Sequence, residues 1–314
     1  MTEAVSAFAP ATVSNVACGF DVLGFAIGGP GCEPGDRVTA RRAKAPGIRV
    51  VSVTGGPGTG AERLPTDAAR NTAGVAAARL VEAVAPGAGV EIAIEKRMPF
   101  GSGLGSSAAS AVAAVVAVNA LLGEPLARAD LLPFALDGEA VASGGRHADN
   151  AAPSLLGGFV LVRTAEDIVR LPVPEGLCVA VLHPHVEVLT SAARAALAPT
   201  VPLRAFVEQT ANIGALVAGL FTSDLALVSR ALRDAVVEPQ RAHLVPRFYA
   251  VQAAALAAGA LGCSLSGSGP SVFALCASRL TADAAGRAMQ AALGNAAPST
   301  LYVSGVGAGA QVEL

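Results

Sequence analysis

The chain has 314 residues, more than one hydrophobic core usually fills, so two domains of roughly 150 residues each are expected. Its 22 basic and 24 acidic residues leave a formal charge of −2, and aromatics make up only 4% of the chain; this excludes a nucleic-acid binder, which needs a basic face and stacking rings, and offers no polybasic patch to a lipid surface. Hydrophobic residues reach 53%, yet the longest apolar run, Ala108 to Leu122, is broken by Ser110 and Asn119 and as a helix spans about 22 Å, short of the roughly 30 Å of a bilayer core.

Along the chain, the opening stretch MTEAVSAFAPATVSN carries an acid where a secretion signal would carry positive charge, so no leader is expected. The stretch TDAARNTAGVAAARLVEAVAPG reads as a helix capped by Thr66 or Asp67 and closed by Gly87. Val90, Ile92 and Ile94 alternate with other residues and mark a strand. A buried helix begins near Ser106, and another runs from about Leu131 to Val141, ending at Gly144-Gly145. The apolar stretches GGFVLVRT and GLCVAVLHP read as buried strands. Pro172 and Pro174, between them, suit neither strand nor helix, so the domain boundary is expected there, giving domains 1–172 and 173–314. Helices then follow in LRAFVEQTANIGALVAGL, DLALVSRAL and RFYAVQAAALAAG, and after them a strand, the turn SGSGPS, a strand, a helix and C-terminal strands. With no regular alternation of strand and helix, the expected class is α+β rather than a doubly wound sheet. Five widely spaced cysteines (Cys18, Cys32, Cys178, Cys263 and Cys276), none in a C-x-x-C pair, imply reduced thiols and a cytoplasmic protein.

The chemistry concentrates in PFGSGLGSSAAS, Pro99 to Ser110. Gly101, Gly103 and Gly105 let a backbone curve tightly and converge its N–H groups on an anion, and the helix behind points its positive end the same way. The stretch suits a di- or triphosphate; on its own, glycine and serine before a helix are more often just a turn. It is neither a Walker A loop, since no lysine follows the last glycine, nor G-x-G-x-x-G. Two further segments bear on the choice: PATVSNVACGFDVLG (Pro10 to Gly24), which carries Asn15 and Asp21, and SLSGSGPSVFAL (Ser264 to Leu275). In this order the three resemble the motifs of the GHMP small-molecule kinases. The first segment and GGRHADNAAPSLLGG (Gly144 to Gly158) are similar to the homoserine-phosphorylating branch of that family, and the likeness runs from about residue 8 to 275.

The resemblance implies a two-domain GHMP architecture: an N-terminal domain like the second domain of ribosomal protein S5, a ferredoxin-like C-terminal domain, and the active site between them. It implies ATP and Mg²⁺ as cofactors, L-homoserine as substrate on the way to threonine, and a homodimer. Pro99, Gly101, Ser102, Gly103, Leu104, Gly105, Ser106, Ser107 and Ala108 would wrap the phosphates, and Asn71 would meet adenine. Ser107 and Glu139 would hold the metal, to which hydroxyl and carboxylate oxygens are suited. Arg194 and Arg241 would take the substrate carboxylate, for which guanidinium is the natural partner. Asn15, Asp21, His147 and Asp149 would face its hydroxyl and ammonium, without a division among them. Gly267, in the third motif, would help shape the substrate site; the alternative is a tight hairpin with no ligand.

Asn15, Glu139 and Asn150 are the expected catalytic positions. Mevalonate-type members carry Asp where this chain has Asn150, and an amide is no general base. The expectation is therefore catalysis by positioning, with the proton leaving late. The resemblance leaves two rivals: a mevalonate- or sugar-type GHMP kinase, and an inactive ligand-binding relative. His147 and Asp149 lack the companion ligands of a transition-metal site, and His183 and His185 are expected only to end a strand.

Overall fold

The structure is a computed structural model that describes residues 3–28 and 34–313. Cys32 lies outside the described residues; Cys18, Cys178, Cys263 and Cys276 are free thiols.

The chain begins with β1 (Ala4–Pro10), the short β2 (Thr12–Ser14), β3 (Leu23–Gly28), β4 (Gly35–Ala43) and β5 (Gly47–Gly55). Asp67 caps only a single 3-10 turn, Ala68–Arg70. The helix expected from Thr66 or Asp67 starts later, as α1 (Thr72–Val84), because Asn71 takes the cap: its Oδ1 accepts from the amides of Ala73 and Gly74 at 3.0 and 3.2 Å. Strand β6 (Gly89–Lys96) buries Val90, Ile92, Ile94 and Lys96 on one face, as a period of two dictates. The helix expected near Ser106 is α2 (Ser106–Leu121), buried on almost every side, which fits a sequence apolar all round. After α3 (Leu132–Ser143) comes α4 (Ala148–Leu156). Its internal Pro153 and flanking glycines hide it from a reading by helical signals. Strands β7 (Phe159–Thr164) and β8 (Asp167–Leu171) follow as an antiparallel pair; β8 lies where only a connection was expected.

Beyond Pro172 the order is β9 (Cys178–Pro184), α5 (Thr190–Ala195), α6 (Leu203–Thr222), α7 (Leu225–Ala231), α8 (Glu238–Arg241) and α9 (Phe248–Ala257). Then come β10 (Gly262–Leu265), β11 (Val272–Cys276), α10 (Arg279–Leu293), β12 (Ser299–Val306) and β13 (Gln311–Glu313).

Two sheets organise these elements. The first has the order β13-β1-β4-β6-β5, antiparallel except for the parallel pair β5–β6. Helix α2 lies across β1 and β4 with α1, α3 and α4 around it. The second sheet has the order β10-β11-β9-β12-β3-β7-β8, with β2 on β3. Helices α9 and α10 cover its β9–β11 end over a smaller apolar cluster around Leu182, Phe248, Val251 and Met289. The architecture is α+β, as expected. The two halves of the chain share both sheets: β12 pairs with β3, and β13 with β1. This interlock brings the turn between β10 and β11 against the glycine stretch before α2.

Candidate active site

A cavity of about 220 Å³ lies where these elements meet. One wall is the glycine stretch. Gly101, Gly103 and Gly105 all have positive φ, at 64°, 73° and 68°, a region that glycine enters without strain. Space is also lacking for anything larger: a Cβ on Gly103 would sit 2.5 Å from the Ser266 carbonyl oxygen and 2.7 Å from that of Gly269. The β10–β11 turn clamps this backbone. Ser266 Oγ donates to the Gly103 carbonyl at 2.7 Å and Ser271 Oγ to the Ser102 carbonyl at 2.6 Å. Helix α2 starts at Gly105, and no described side chain caps it. Its first amides are thus left for whatever occupies the cavity. The hydroxyls of Ser102 and Ser106 are buried at the same wall and have no hydrogen-bond partner among the described residues.

Beneath this wall lies a lysine that the reading of the motif missed. Lys96 ends β6 and is 3% exposed. Its ammonium pairs with the fully buried Asp36 and donates to the Ser106 carbonyl and to Ser110 Oγ, both at 2.9 Å. Lys96 does not line the cavity; it ties the first turn of α2 to the sheet.

The second wall carries oxygen ligands. Ser107 Oγ donates to Glu139 Oε1 at 3.0 Å, joining α2 to α3. Burial raises the Glu139 pKa to about 7, with the nearby Asp149 adding to the shift and the Ser107 hydrogen bond opposing it. His147 precedes α4 without a capping side-chain bond, and Asp149 and Asn150 occupy the first turn of the helix. Asp149 is 2% exposed, its Oδ1 has no hydrogen-bond partner among the described residues, and burial together with the charge of Asp21 raises its pKa to about 7. Asn150 Oδ1 accepts from Thr12 Oγ1 at 2.8 Å and Nδ2 donates to Ser14 Oγ at 3.0 Å.

The third wall is ionic. Asp21 and Arg194 form a bidentate pair, with N–O distances of 2.9 and 3.1 Å. The same guanidinium lies 3.1 Å from His147 Nδ1, and burial and this cation push the His147 pKa down. Arg241, 3% exposed, donates from Nε to the Ala193 carbonyl at 2.9 Å. Burial and the neighbouring Arg194 push its pKa below the ordinary arginine value. Asn15 adopts φ 69°; its Nδ2 donates to the Gly267 carbonyl at 2.8 Å and its Oδ1 accepts from the Asp21 amide at 3.2 Å.

The structure thus gathers around one cavity Asn15, Asp21, Gly101, Ser102, Gly103, Gly105, Ser106 and Ser107, together with Glu139, His147, Asp149, Asn150, Arg194, Arg241 and Gly267. Four expected positions do not line it. Leu104 and Ala108 turn their side chains wholly into the core, and Pro99 precedes the curved segment. Asn71 spends both ends of its amide on local structure, since Nδ2 donates to the Pro65 carbonyl while Oδ1 caps α1. Ser14, Thr190, Ser191 and Ser268 line the cavity without having been singled out. Ser14 and Ser268 carried a signal, as neighbours of Asn15 and Gly267 within the quoted motifs.

This arrangement, an uncapped helix start behind a glycine bend facing a charged wall, is that of a small-molecule phosphotransferase. The family models "GHMP kinases N terminal domain" and "GHMP kinases C terminal" match residues 71–158 and 214–295. The fold and site therefore define a GHMP kinase. A relative named homoserine kinase from Chlorobium phaeobacteroides is 46% identical over 299 residues, covering 92% of each chain; one from Xanthomonas campestris is 48% identical, covering 91% of this chain and 86% of its own. The crystal structure of homoserine kinase from Cytophaga hutchinsonii superposes with a TM-score of 0.94 at 48% identity, covering 100% of this chain and 98% of that one. Within the GHMP kinases, the chain belongs to the homoserine kinase family.

Proposed function

We propose that the chain transfers the γ-phosphoryl group of ATP to the side-chain hydroxyl of L-homoserine, giving O-phospho-L-homoserine and ADP. The observation that carries this reading is the Asp21–Arg194 pair, with Arg241 beside it, facing the glycine bend across one cavity. An α-amino acid carries the same two charges and can replace each partner of that pair for the other: its ammonium takes Asp21 and Asp149, and its carboxylate takes Arg194 and Arg241. Neither mevalonate nor a sugar offers a cation to the acidic side.

At the opposite wall the amides of the bend and of the first turn of α2, with the Ser102 and Ser106 hydroxyls, suit the polyphosphate. Ser107 and Glu139 supply two adjacent hard oxygen donors. Such a set fits Mg²⁺, which binds through one or two carboxylates and substrate phosphates while keeping several waters. Magnesium, when bound there, would neutralise charge on the phosphate oxygens. The remaining work is alignment. Asn150, held at both ends by Thr12 and Ser14, fixes the start of α4, so that the substrate hydroxyl meets the phosphorus in line. With an amide at this position the hydroxyl proton leaves late, to a phosphate oxygen or water, which a loose transition state permits.

The reading includes a cytoplasmic enzyme of threonine biosynthesis, divided near Pro172 into two domains. It also includes a homodimer, supported by the exposed Leu203, Phe206, Val207 and Phe221 on α6; no helix among the described residues is long and apolar enough to cross a membrane. The deciding experiment is coupled ADP release with homoserine, mevalonate and galactose side by side. Homoserine is expected to give the highest kcat/KM by at least about a hundredfold, and a preference for either other substrate overturns the proposal.

A further inference from the structure

Arg194 and Arg241 share a neighbour that has no polar atom in its side chain. The Arg194 guanidinium carbon lies over the ring of Phe20, 5.5 Å from its centroid, and that of Arg241 lies over the same ring at 5.0 Å. Phe20 sits one residue before Asp21, the anion paired to Arg194. The two guanidiniums come from separate short helices, α5 and α8. They stand close enough for the charge of Arg194 to disfavour that of Arg241. Bringing two cations together in a partly buried place is unfavourable, and Asp21 engages only Arg194 by hydrogen bonds. The acids that act on Arg241, which are Asp21, Asp234 and Asp149, do so through space. The face of an aromatic ring carries negative potential and attracts a guanidinium without competing for the hydrogen bonds a carboxylate will need.

We propose that Phe20 is a positioning residue: its ring gathers Arg194 and Arg241 into one carboxylate-binding fork and thereby sets the affinity for the amino-acid substrate. The inference rests on the assignment of these arginines to a substrate carboxylate. The ring stabilises both charges and takes no N–H donor from either guanidinium; the Arg194 donors are held by Asp21, the partner a substrate ammonium would take over. Among the described residues Arg241 makes one side-chain hydrogen bond to protein, through Nε, and the terminal nitrogens of its planar fork make none with them.

The test compares Phe20→Leu and Phe20→Met, which keep apolar bulk and lose the ring, with Phe20→Tyr, which keeps it. Steady-state kinetics are measured against L-homoserine and against ATP, together with the thermal midpoint of each variant. Loss of two cation–π contacts is expected to raise KM for homoserine about tenfold or more in the Leu and Met variants. KM for ATP stays within about twofold, and Phe20→Tyr remains within about threefold of the parent enzyme on both substrates. A change of less than twofold in homoserine KM in both Leu and Met variants overturns the proposal. So does an equal rise in both KM values, which marks general disturbance of the site, or an equal loss in the Tyr variant. If Phe20→Leu folds poorly, its thermal midpoint reports it, and Phe20→Met carries the comparison. Should the parent enzyme fail to phosphorylate homoserine, the assigned reaction falls; should it succeed while the ring-free variants match it, only the role of Phe20 falls.

Discussion

Replacing Lys96 with Met tests whether the glycine bend is held from below. Lys96 and Asp36 are 3% and 0% exposed, so the deletion leaves a carboxylate in the interior with two neutral donors, Ser110 Oγ at 2.7 Å and the Arg97 amide at 3.0 Å. Removing one partner of a buried pair typically destabilises by about 3–5 kcal/mol, because the remaining charge is uncompensated. The Ser106 carbonyl also loses a donor at 2.9 Å. Against a total stability of about 5–15 kcal/mol this is a large share. The double variant Asp36→Leu/Lys96→Met removes both charges. It should recover much of the loss, leaving about 1–3 kcal/mol for the Arg97 amide and the Ser110 hydroxyl, which lose their acceptor. Urea unfolding of the parent, both single variants and the double closes the cycle, read as a shift in midpoint at constant slope. Because Ser106 opens α2 at the cavity, KM for ATP should rise about tenfold in Lys96→Met, with KM for homoserine nearly unchanged. A single variant destabilised by less than about 1 kcal/mol, or strictly additive single effects, refutes the reasoning.

Glu139→Gln should lower turnover by about a hundredfold or more while homoserine KM changes little, since the amide is a poor ligand for a hard cation; unchanged turnover at saturating Mg²⁺ removes Glu139 from the metal site. Arg241→Leu should lower kcat/KM for homoserine by about 2–5 kcal/mol, tens- to thousands-fold, if a desolvated carboxylate meets it, and a loss below about threefold refutes that contact. Asn150→Asp should lower turnover, and a several-fold gain on homoserine would show that a base was wanted there. His183 is buried, and burial holds its pKa down at about 4 from 6.5. The folded state therefore binds fewer protons than the unfolded chain between these values. Its contribution to stability is complete above about pH 6.5 and is lost as pH falls toward 4, amounting to about 2 kcal/mol between pH 7.5 and 5. Urea unfolding at both pH values should show this loss in the parent and its disappearance in His183→Gln; identical pH dependence in the two proteins refutes the assignment.

What could be read from the chain alone follows the range of the interactions involved. Helix α2 and the glycine bend were legible because an apolar run and its punctuation are local features. The buried ion pair was legible in principle: the alternation Val90, Ile92, Ile94 continues to Lys96, and that of Val38 and Ala40 extends back to Asp36. A charge at a core-facing position of a strand predicts a partner. Arg194 and Arg241 lie on helices of six and four residues, too short for periodicity to orient, and only the family resemblance singled them out. Asn71 has a local role that the chain also offered, since a residue beside a helix start is placed to cap it. Phe20 carries no local signal, because its neighbours arrive from residues more than 170 positions away.

The identity of residue 150 has a structural reason as well as a chemical one. Thr12 Oγ1 donates to Asn150 Oδ1, and Asn150 Nδ2 donates to Ser14 Oγ. Ser14, the acceptor of that amide hydrogen, also lowers the Asp149 pKa against the stronger effect of burial. The donations run in one direction, from Thr12 of β2 to Asn150 of α4 and back to Ser14 of β2, beside the buried Asp149. Only a side chain that accepts at one end and donates at the other can transmit them. An aspartate would accept from Thr12 and would force Ser14 from acceptor to donor. A second carboxylate beside Asp149 would also raise its pKa further, toward a neutral form with less attraction for a substrate ammonium. The amide therefore adds no further charge against the buried Asp149, and the absence of a base at this position agrees with the hydrogen-bond order around residue 150.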